Sequence, residues 1–461
     1  MWSSSCGRSS VEVVAAFNLA EHPARRPFAG FGAQYNQNVF AARSRQVGVT
    51  EDNVAEMKKR VSQLAPHIVR VFFSADAFGD ADLMRSFRRT MQLAQQTGGE
   101  INVTLQGLGP KVVQQHPHLI TRFAELVSGL LNQPQPITKL KWVTLRNEPN
   151  GSAPIKKQLY AECYRDFDAE LRRLGVRAHV GLMGGDLLQN HQLEWFNFLA
   201  TQKALKRVLD AYSIHVYWNY SQPRKLVRRL REVRKFRDGL PAPGKTMPLY
   251  VMECGVRGIR NGIHGTEDPG FWKDKKTRIA DTNVNAFQRC WFTLEAAAQG
   301  YSGIVSWDAY HALYDKDKKN MRHYGLLGSP TGHTEPWAKR PAFRAQRLLM
   351  RAVQPGWHGI PLSGGSSAQR VVAFANPADR HQLTIVGLDT NGAQMNSDQS
   401  QKASYTIKGL PANTQFQLCY WNRDGNGLNS FDDERRSDGS GAVGIEAPLH
   451  SMFVLTTLHL S

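Results

Sequence analysis

Two stretches of the chain carry an apolar run that ends on a glutamate. In residues 141–150 (KWVTLRNEPN), Trp142, Val143 and Leu145 read as a buried strand, and Asn147-Glu148-Pro149 closes it because proline has no N–H to give a strand ladder. Residues 248–255 (PLYVMECG) repeat the design and deliver Glu253. Carboxyl groups at the C-terminal ends of parallel strands face a crevice that loops build over a rigid scaffold. A pair of them can cleave a glycosidic bond: one, protonated, assists the departing oxygen while the other, ionised, attacks the anomeric carbon, which requires about 5 to 5.5 Å between them.

Other side chains fit the same chemistry. Asn147, beside Glu148, can donate its amide to a sugar 2-hydroxyl as an oxocarbenium ion develops. Arg70, late on an earlier strand, supplies a counter-charge for Glu253. His215 and Tyr217 lie two apart on one strand and so share a face, where Tyr217 can hold Glu253 through its hydroxyl and His215 can orient the neighbourhood of Glu148. Trp307 closes a further strand and offers an indole face to the apolar side of a pyranose. Gln34, Tyr35 and Asn36 end the first strand, with Asn36 taken as a substrate contact; Trp218 and Tyr310 are taken as outer-subsite rings. Asp76, Asp186 and Asp308, each placed just beyond a strand end, either bind sugar hydroxyls or cap helices. Cys254 reads as a small buried filler.

The elements that must position these groups recur in one form. Strands are expected within residues 28–40 and at 67–74, 101–107, 142–148, 178–183, 211–217, 249–253 and 303–307. Amphipathic segments at 52–64, 82–96, 119–131, 156–174, 283–299 and 343–353 lie between or after them. Alternation of apolar strand and amphipathic helix marks right-handed βαβ units, and eight of them close a (β/α)8 barrel of about 250 residues. From about residue 354 the texture changes to short β-type runs (RVVAFA, QLTIVGL, SYTIKGL, QFQLCYW, SMFVLTTL) separated by turns, the pattern of an antiparallel sandwich. The expected organisation is therefore an α/β chain with an N-terminal strand in residues 1–27 that joins the sandwich, a catalytic barrel at 28–353 and a β-sandwich at 354–461.

Composition narrows the function classes. Apolar residues at 41% of the 461-residue chain and aromatics at 10% are globular values. Fifty-eight Lys and Arg against 39 Asp and Glu leave +19, which suits an acidic polysaccharide or an anionic surface better than a cationic one. Residues 224–237 (RKLVRRLREVRKFR) concentrate the charge on what reads as an outer helix with a solvated basic face; no nucleic-acid module accompanies it, so no nucleic-acid partner is expected. Five scattered cysteines without a Cys/His cluster exclude a disulfide scaffold and a structural zinc site, leaving room for one bridge, and no metal or cofactor is expected. The segment 422–433 (NRDGNGLNSFDD) is faintly like a calcium loop but reads as a hairpin turn, lacking the twelfth-position glutamate. No apolar run reaches the length of a membrane span, and residues 1–27 lack a signal-peptide pattern. An extracellular or periplasmic location is expected if a leader has been removed, and a cytoplasmic one otherwise.

Asn147-Glu148 on the fourth strand, Glu253 on the seventh, His215-x-Tyr217 on the sixth, Arg70 on the second and Trp307 on the eighth resemble the clan A glycoside hydrolases, the superfamily that includes the cellulase-like families 5, 30 and 39. The opening PFAGFGA is similar to the start of such barrels, and the resemblance covers residues 28–353. The third strand ends in Gln106-Gly107, where family 5 commonly has histidine. The resemblance implies that Glu148 is the acid/base and Glu253 the nucleophile of a retaining double displacement on an oligo- or polysaccharide. It also implies the trailing sandwich. Residues 257–276 form the longest loop beside the site, and its Trp272, Lys273 and Lys275 are placed to meet an acidic substrate. Two readings from other classes stay open: a non-catalytic carbohydrate-binding protein, and a polyanion-binding structural protein.

Overall fold

The computed structural model describes residues 11–16, 27–116, 118–151, 153–189, 191–220, 223–258, 270–313, 324–331, 335–361, 369–389, 402–422, 433–448 and 451–460. After an N-terminal strand, β1 (Val11–Ala16), eight parallel strands close a barrel. They are β2 (Gly30–Tyr35), β3 (Ile68–Ser74), β4 (Glu100–Gln106), β5 (Leu140–Thr144), β6 (Gly181–Leu187), β7 (Ala211–Asn219), β8 (Leu249–Arg257) and β9 (Gly303–Ser306), with β9 returning to pair β2 at Gly30↔Gly303. All eight expected barrel strands are present. Around them lie α1 (Glu51–Leu64), α2 (Ala81–Thr97), α3 (Pro110–Gln115), α4 (Leu119–Asn132), α5 (Lys157–Arg173), α6 (Gln192–Thr201), α7 (Lys203–Val208), α8 (Pro223–Asp238), α9 (Asn283–Ala298) and α10 (Pro341–Ala352).

The helices form where the sequence supplies both a start signal and a stripe. Thr50 accepts from Asn53 N while Asn53 reaches back to Thr50 N, a reciprocal box, and α1 then buries Val54, Met57, Val61 and Leu64 at spacings of three and four. Asp80 and Thr282 accept backbone N–H groups at the starts of α2 and α9. Helix α9 is buried on nearly every side because the barrel lies on one flank and a second domain on the other.

That second domain holds β10 (His358–Pro361), β11 (Gln369–Ala375), β12 (Leu383–Asp389), β13 (Lys402–Lys408), β14 (Gln415–Asn422), β15 (Asp433–Arg436), β16 (Val443–Pro448) and β17 (Ser451–Thr456). They form a six-stranded sheet in the order β10-β11-β12-β17-β14-β15 and a three-stranded sheet β1-β13-β16, in which β1 runs parallel to β13. The inner faces share an apolar core including Ile385, Tyr405, Ile407, Leu418, Ile445 and Phe453. Phe374 meets Phe28 and Phe31 at ring distances of 5.2 and 5.8 Å, and Arg370 pairs with Glu295 of α9, so the six-stranded sheet is bolted to the barrel's flank.

Boundaries differ from the sequence reading where backbone geometry intervenes. The fourth barrel strand stops at Thr144 rather than Glu148, because the chain turns early and Glu148 sits at φ +49°, outside strand geometry. The fifth begins at Gly181 and runs to Leu187, since residues 177–179 form a 3₁₀ turn pinned by Arg177 to Asp168 and Asp210. The seventh continues four residues past Glu253 to Arg257. Helices α3, α6 and α7 lie outside the amphipathic segments read from the sequence. Cys163, Cys254 and Cys290 are buried free thiols and Cys419 is buried, while Cys6, much of the glycine-rich segment 422–433 and residues 259–269 of the long loop lie outside the described residues. Among the described residues no helix is long and apolar enough to cross a membrane.

Two glycines separate steric from conformational cost. A Cβ on Gly185 (φ +128°) would lie 2.2 Å from the Ser213 carbonyl oxygen of the neighbouring strand, whereas one on Gly300 (φ +78°) would meet nothing within 4 Å. Gly185→Ala is expected to cost more than about 3 kcal/mol of stability and Gly300→Ala about 1 kcal/mol. Equal denaturation midpoints for the two variants would contradict this packing of β6 on β7.

Candidate active site

The C-terminal mouth of the barrel is organised by Arg70 of β3, which is fully buried. A guanidinium has five N–H donors and no acceptor, and here each finds an oxygen. Nε donates to Thr104 Oγ1 at 3.0 Å; one terminal nitrogen donates to Gln34 Oε1 at 2.9 Å and to Glu253 Oε1; the other donates to Asn147 Oδ1 at 2.8 Å and to Asp186 Oδ2 at 2.5 Å. These acceptors come from β2, β4, β6, β8 and the turn after β5. The Phe72 ring, two residues along the same face, packs with its centroid 4.5 Å from the guanidinium carbon.

Glu253 accepts on both oxygens, from Arg70 and from Tyr217 Oη at 2.7 Å. Glu148 is held by His215, whose Nδ1 lies 3.0 Å from Glu148 Oε1 and 3.4 Å from Glu253 Oε2. His215 Nε2 lies 3.4 Å from Asp186 Oδ1, an ion-pair distance, and Ser213 Oγ donates to that same oxygen at 2.6 Å. One atom each from Glu148, His215 and Glu253 fall within 4.8 Å of one another, so the two carboxylates approach within that distance. They differ in access: the Glu148 side chain is 29% exposed and that of Glu253 5%.

Electrostatics follow from this packing. Burial alone would depress the His215 imidazole, but the charges of Glu253 and Asp186 and the bonds to Asp186 and Glu148 outweigh it and raise its pKa to about 9. Burial would raise Asp186; Arg70 and His215 hold it well below the usual carboxylate range. Burial and the adjacent Glu253 charge push the Tyr217 phenol well up, so it stays a donor. Glu148 and Asp186 have φ values of +49° and +54°, a conformation costly for residues other than glycine that is held here by the surrounding bonds. Gly151 N donates to Glu148 O, and Arg146 braces the same turn through Ala153 O at 2.6 Å.

The structure gathers Glu148, Glu253, Arg70, Asn147, His215, Tyr217 and Trp307 at one place. Asn147 spends its oxygen on Arg70, and its amide nitrogen has no partner among the described residues. Trp307 packs with Phe72, Tyr217 and Tyr324 at the base of the cup, and Arg289 of α9 fixes the Trp307 and Tyr324 carbonyls at 3.2 and 2.9 Å.

Several other expected contacts are not in the cup. Asn36 is fully buried, its amide donating to Ala312 O and its oxygen accepting from Asn38 N, so it fastens a loop. Trp218 faces the helix layer, its Nε1 on Gln288 and its ring 4.6 Å from Phe292; a residue next to the inward Tyr217 must point outward. Tyr310 is buried between Tyr35 and Trp337. Asp308 is buried 3.0 Å from His311 and Asp76 is exposed on the turn after β3, whereas Asp186 lies inside β6 and belongs to the cup through its bond to Arg70. Cys254 is buried, and burial pushes its thiol up to about 12, as befits a filler.

Thr104, Ser213, Tyr324 and Phe72 were not singled out from sequence. The strands INVTLQ and AYSIHVY do alternate polar with apolar residues, and that alternation was the available signal for Thr104 and Ser213. Tyr324 comes from a loop and carried none. A cation could draw one atom each from Glu148, His215 and Glu253, but Arg70 and Tyr217 already donate to both Glu253 oxygens, and a His215 raised to about 9 is protonated at neutral pH rather than a ligand.

A pKa raised on folding stabilises the fold fully below the unfolded value near 6.5, and the gain is lost as pH rises through the folded value. The stability advantage of the parent over His215→Asn is therefore expected to be largest below about pH 6.5 and to shrink toward pH 9. Chemical denaturation across that window checks it; a constant difference would remove the protonated imidazole.

No family model matches the sequence, and no curated relative does. Solved structures do match over nearly the whole chain. They include the catalytic domain of a GH30 xylanase C from Talaromyces cellulolyticus, at 12% identity and a TM-score of 0.62 over 96% of this chain and 99% of that one. A family 51 α-L-arabinofuranosidase, AbfB, from Bifidobacterium longum gives 12% and 0.65 over 97% and 99%, and a glucosidase from Croceicoccus marinus gives 13% and 0.60 over 98% and 100%. The chain thus shares the barrel-and-sandwich fold of these glycoside hydrolases.

Proposed function

We propose that the protein is a retaining glycoside hydrolase acting on an oligo- or polysaccharide. The observation that carries this is the approach of the Glu148 and Glu253 carboxylates to within 4.8 Å, the spacing of a direct displacement, not one that leaves room for a water between acid and base. On this reading residues 28–353 are the catalytic barrel, and the sandwich at 354–461, joined by the N-terminal strand, buttresses it.

Glu253 is the nucleophile. Arg70 and Tyr217 aim its oxygens from below and beside, and the rigid strand β8 fixes its height. Glu148, the more exposed of the two, donates its proton to the departing oxygen as Glu253 forms the covalent glycosyl ester. It then takes a proton from the water that cleaves the ester, giving net retention. Asn147 offers its free amide to the sugar's 2-hydroxyl, while His215 holds Glu148 in place. Trp307, with Phe72 and Tyr324, supplies the apolar floor.

Glu253→Ala is expected to abolish turnover of aryl glycosides. Glu148→Ala should slow substrates with poor leaving groups by about 10²- to 10⁴-fold while sparing activated ones. The first-formed product should keep the substrate's anomeric configuration, read by NMR during hydrolysis. Inversion, or equal rates in Glu253→Ala and the parent, would remove the assignment.

A further inference from the structure

Beyond the two carboxylates, the mouth carries a cation that the reaction does not use. Strand β8 runs on past Glu253, and with a period of two, Glu253, Gly255 and Arg257 share the inner face. Arg257 therefore stands on the same wall as the nucleophile, nearer the mouth. Gly255 leaves the space between them to Tyr217: a Cβ at Gly255 would lie 3.0 Å from Tyr217 Cε1 and from the Tyr324 ring. The Arg257 guanidinium sits over the Tyr217 ring at 5.3 Å, and the hydroxyl of that ring donates to Glu253. A single aromatic ring separates the cation from the attacking oxygen.

The guanidinium is unspent. Arg257 Nε is buried without a hydrogen-bond partner, and the stacking on Tyr217 is its side chain's contact among the described residues. Arg70, on the same side of the barrel, by contrast spends all five of its donors on side-chain oxygens. A buried donor left unmade is costly, and a bound anion would recover that cost. Around Arg257 the wall is aromatic and basic. Tyr220 N donates to Arg257 O at 3.1 Å; the Tyr220 and Trp272 rings lie 4.8 Å apart, both partly exposed; and the exposed Lys273 rests over Trp272 at 5.5 Å. The nearby carboxylate of Asp274 is taken up by Lys276 N, Thr277 N and Thr277 Oγ1 in its own turn.

We propose that this wall is a subsite for an anionic sugar substituent, a carboxylate or a sulfate ester, gripped by Arg257 while the rings of Tyr220 and Trp272 and the Lys273 ammonium receive the adjoining residue of an acidic glycan. A planar guanidinium matches either oxyanion with paired N–H donors. The inference rests on the glycosidase reading for the position of the chain but makes its own claim, that acidic sugars are preferred.

The test uses the full-length chain in a Glu148→Gln background, so that binding is read without turnover. Calorimetric titrations compare uronic-acid oligosaccharides with their carboxyl-reduced counterparts, and sulfated oligosaccharides with their desulfated forms. The acidic member of at least one pair is expected to bind more tightly, and Arg257→Gln should lower that acidic-to-neutral ratio about tenfold or more, with Arg257→Lys intermediate. Whichever pair shows the effect names the anion. A preference that survives Arg257→Gln would place recognition elsewhere, on the basic helix α8 for example, and overturn the proposal. So would neutral glycans binding as well as acidic ones, an outcome that leaves the hydrolase reading intact. Failure of every glycan to bind, with no turnover by the parent, would sink both.

Discussion

A buried arginine with all five donors engaged is the constraint on which the mouth of this barrel depends. Arg70 cannot be solvated, so its charge is tolerated only because Glu253 and Asp186 answer it and Thr104, Gln34 and Asn147 complete its shell. Buried ion pairs return little net stability after desolvation, and their value lies in geometry. Five segments of chain, distant in sequence, are brought to fixed positions around one planar group. His215 adds a second cation beneath the carboxylates, so the cup alternates charge: Arg70, Asp186, His215, then the two glutamates.

Irregular backbone concentrates in the same region. The register shifts between β6 and β7, between β7 and β8 and between β8 and β9, on the strands that carry Asp186, His215 and Glu253. Bulges re-aim side chains that a regular ladder would misdirect. Glu148 and Asp186 take left-handed backbone angles for the same end. At the opposite end, where the register shifts once between β4 and β5 at Ile101/Asn102, the barrel is filled by Ile68, Trp142, Met183, Tyr250, Met252 and Val305.

Much of this was legible in the sequence because the barrel's repeating unit writes itself as alternating periodicities. Eight apolar runs located eight strands, and the polar residues that end or interrupt those runs located Arg70, Glu148, His215, Tyr217 and Glu253. The run AHVGLM puts Asp186 just beyond a strand end, whereas the glycine-rich GLMGGDL forms β6 and holds Asp186 within it. Trp218 and Asn36 were misjudged from residue type: a tryptophan and an asparagine near a sugar site look like ligands, yet Trp218 follows an inward residue and must face out, and Asn36 is consumed by backbone. The acceptors around Arg70 come from separated strands, and no local pattern announces that they converge. The barrel-and-sandwich fold itself is shared with solved structures only 12–13% identical, a distance at which shape outlasts sequence.

For anyone grafting a new specificity onto this scaffold, the saturation of Arg70 sets the boundary of what can be redesigned. A lysine there would bring three donors from one point instead of five from a plane, and any single change among its acceptors strands an N–H in the interior. The inner ring behaves as one unit that is kept or replaced whole. The rim beyond Gly255, which supplies no acceptor to Arg70, is where variation can accumulate one residue at a time.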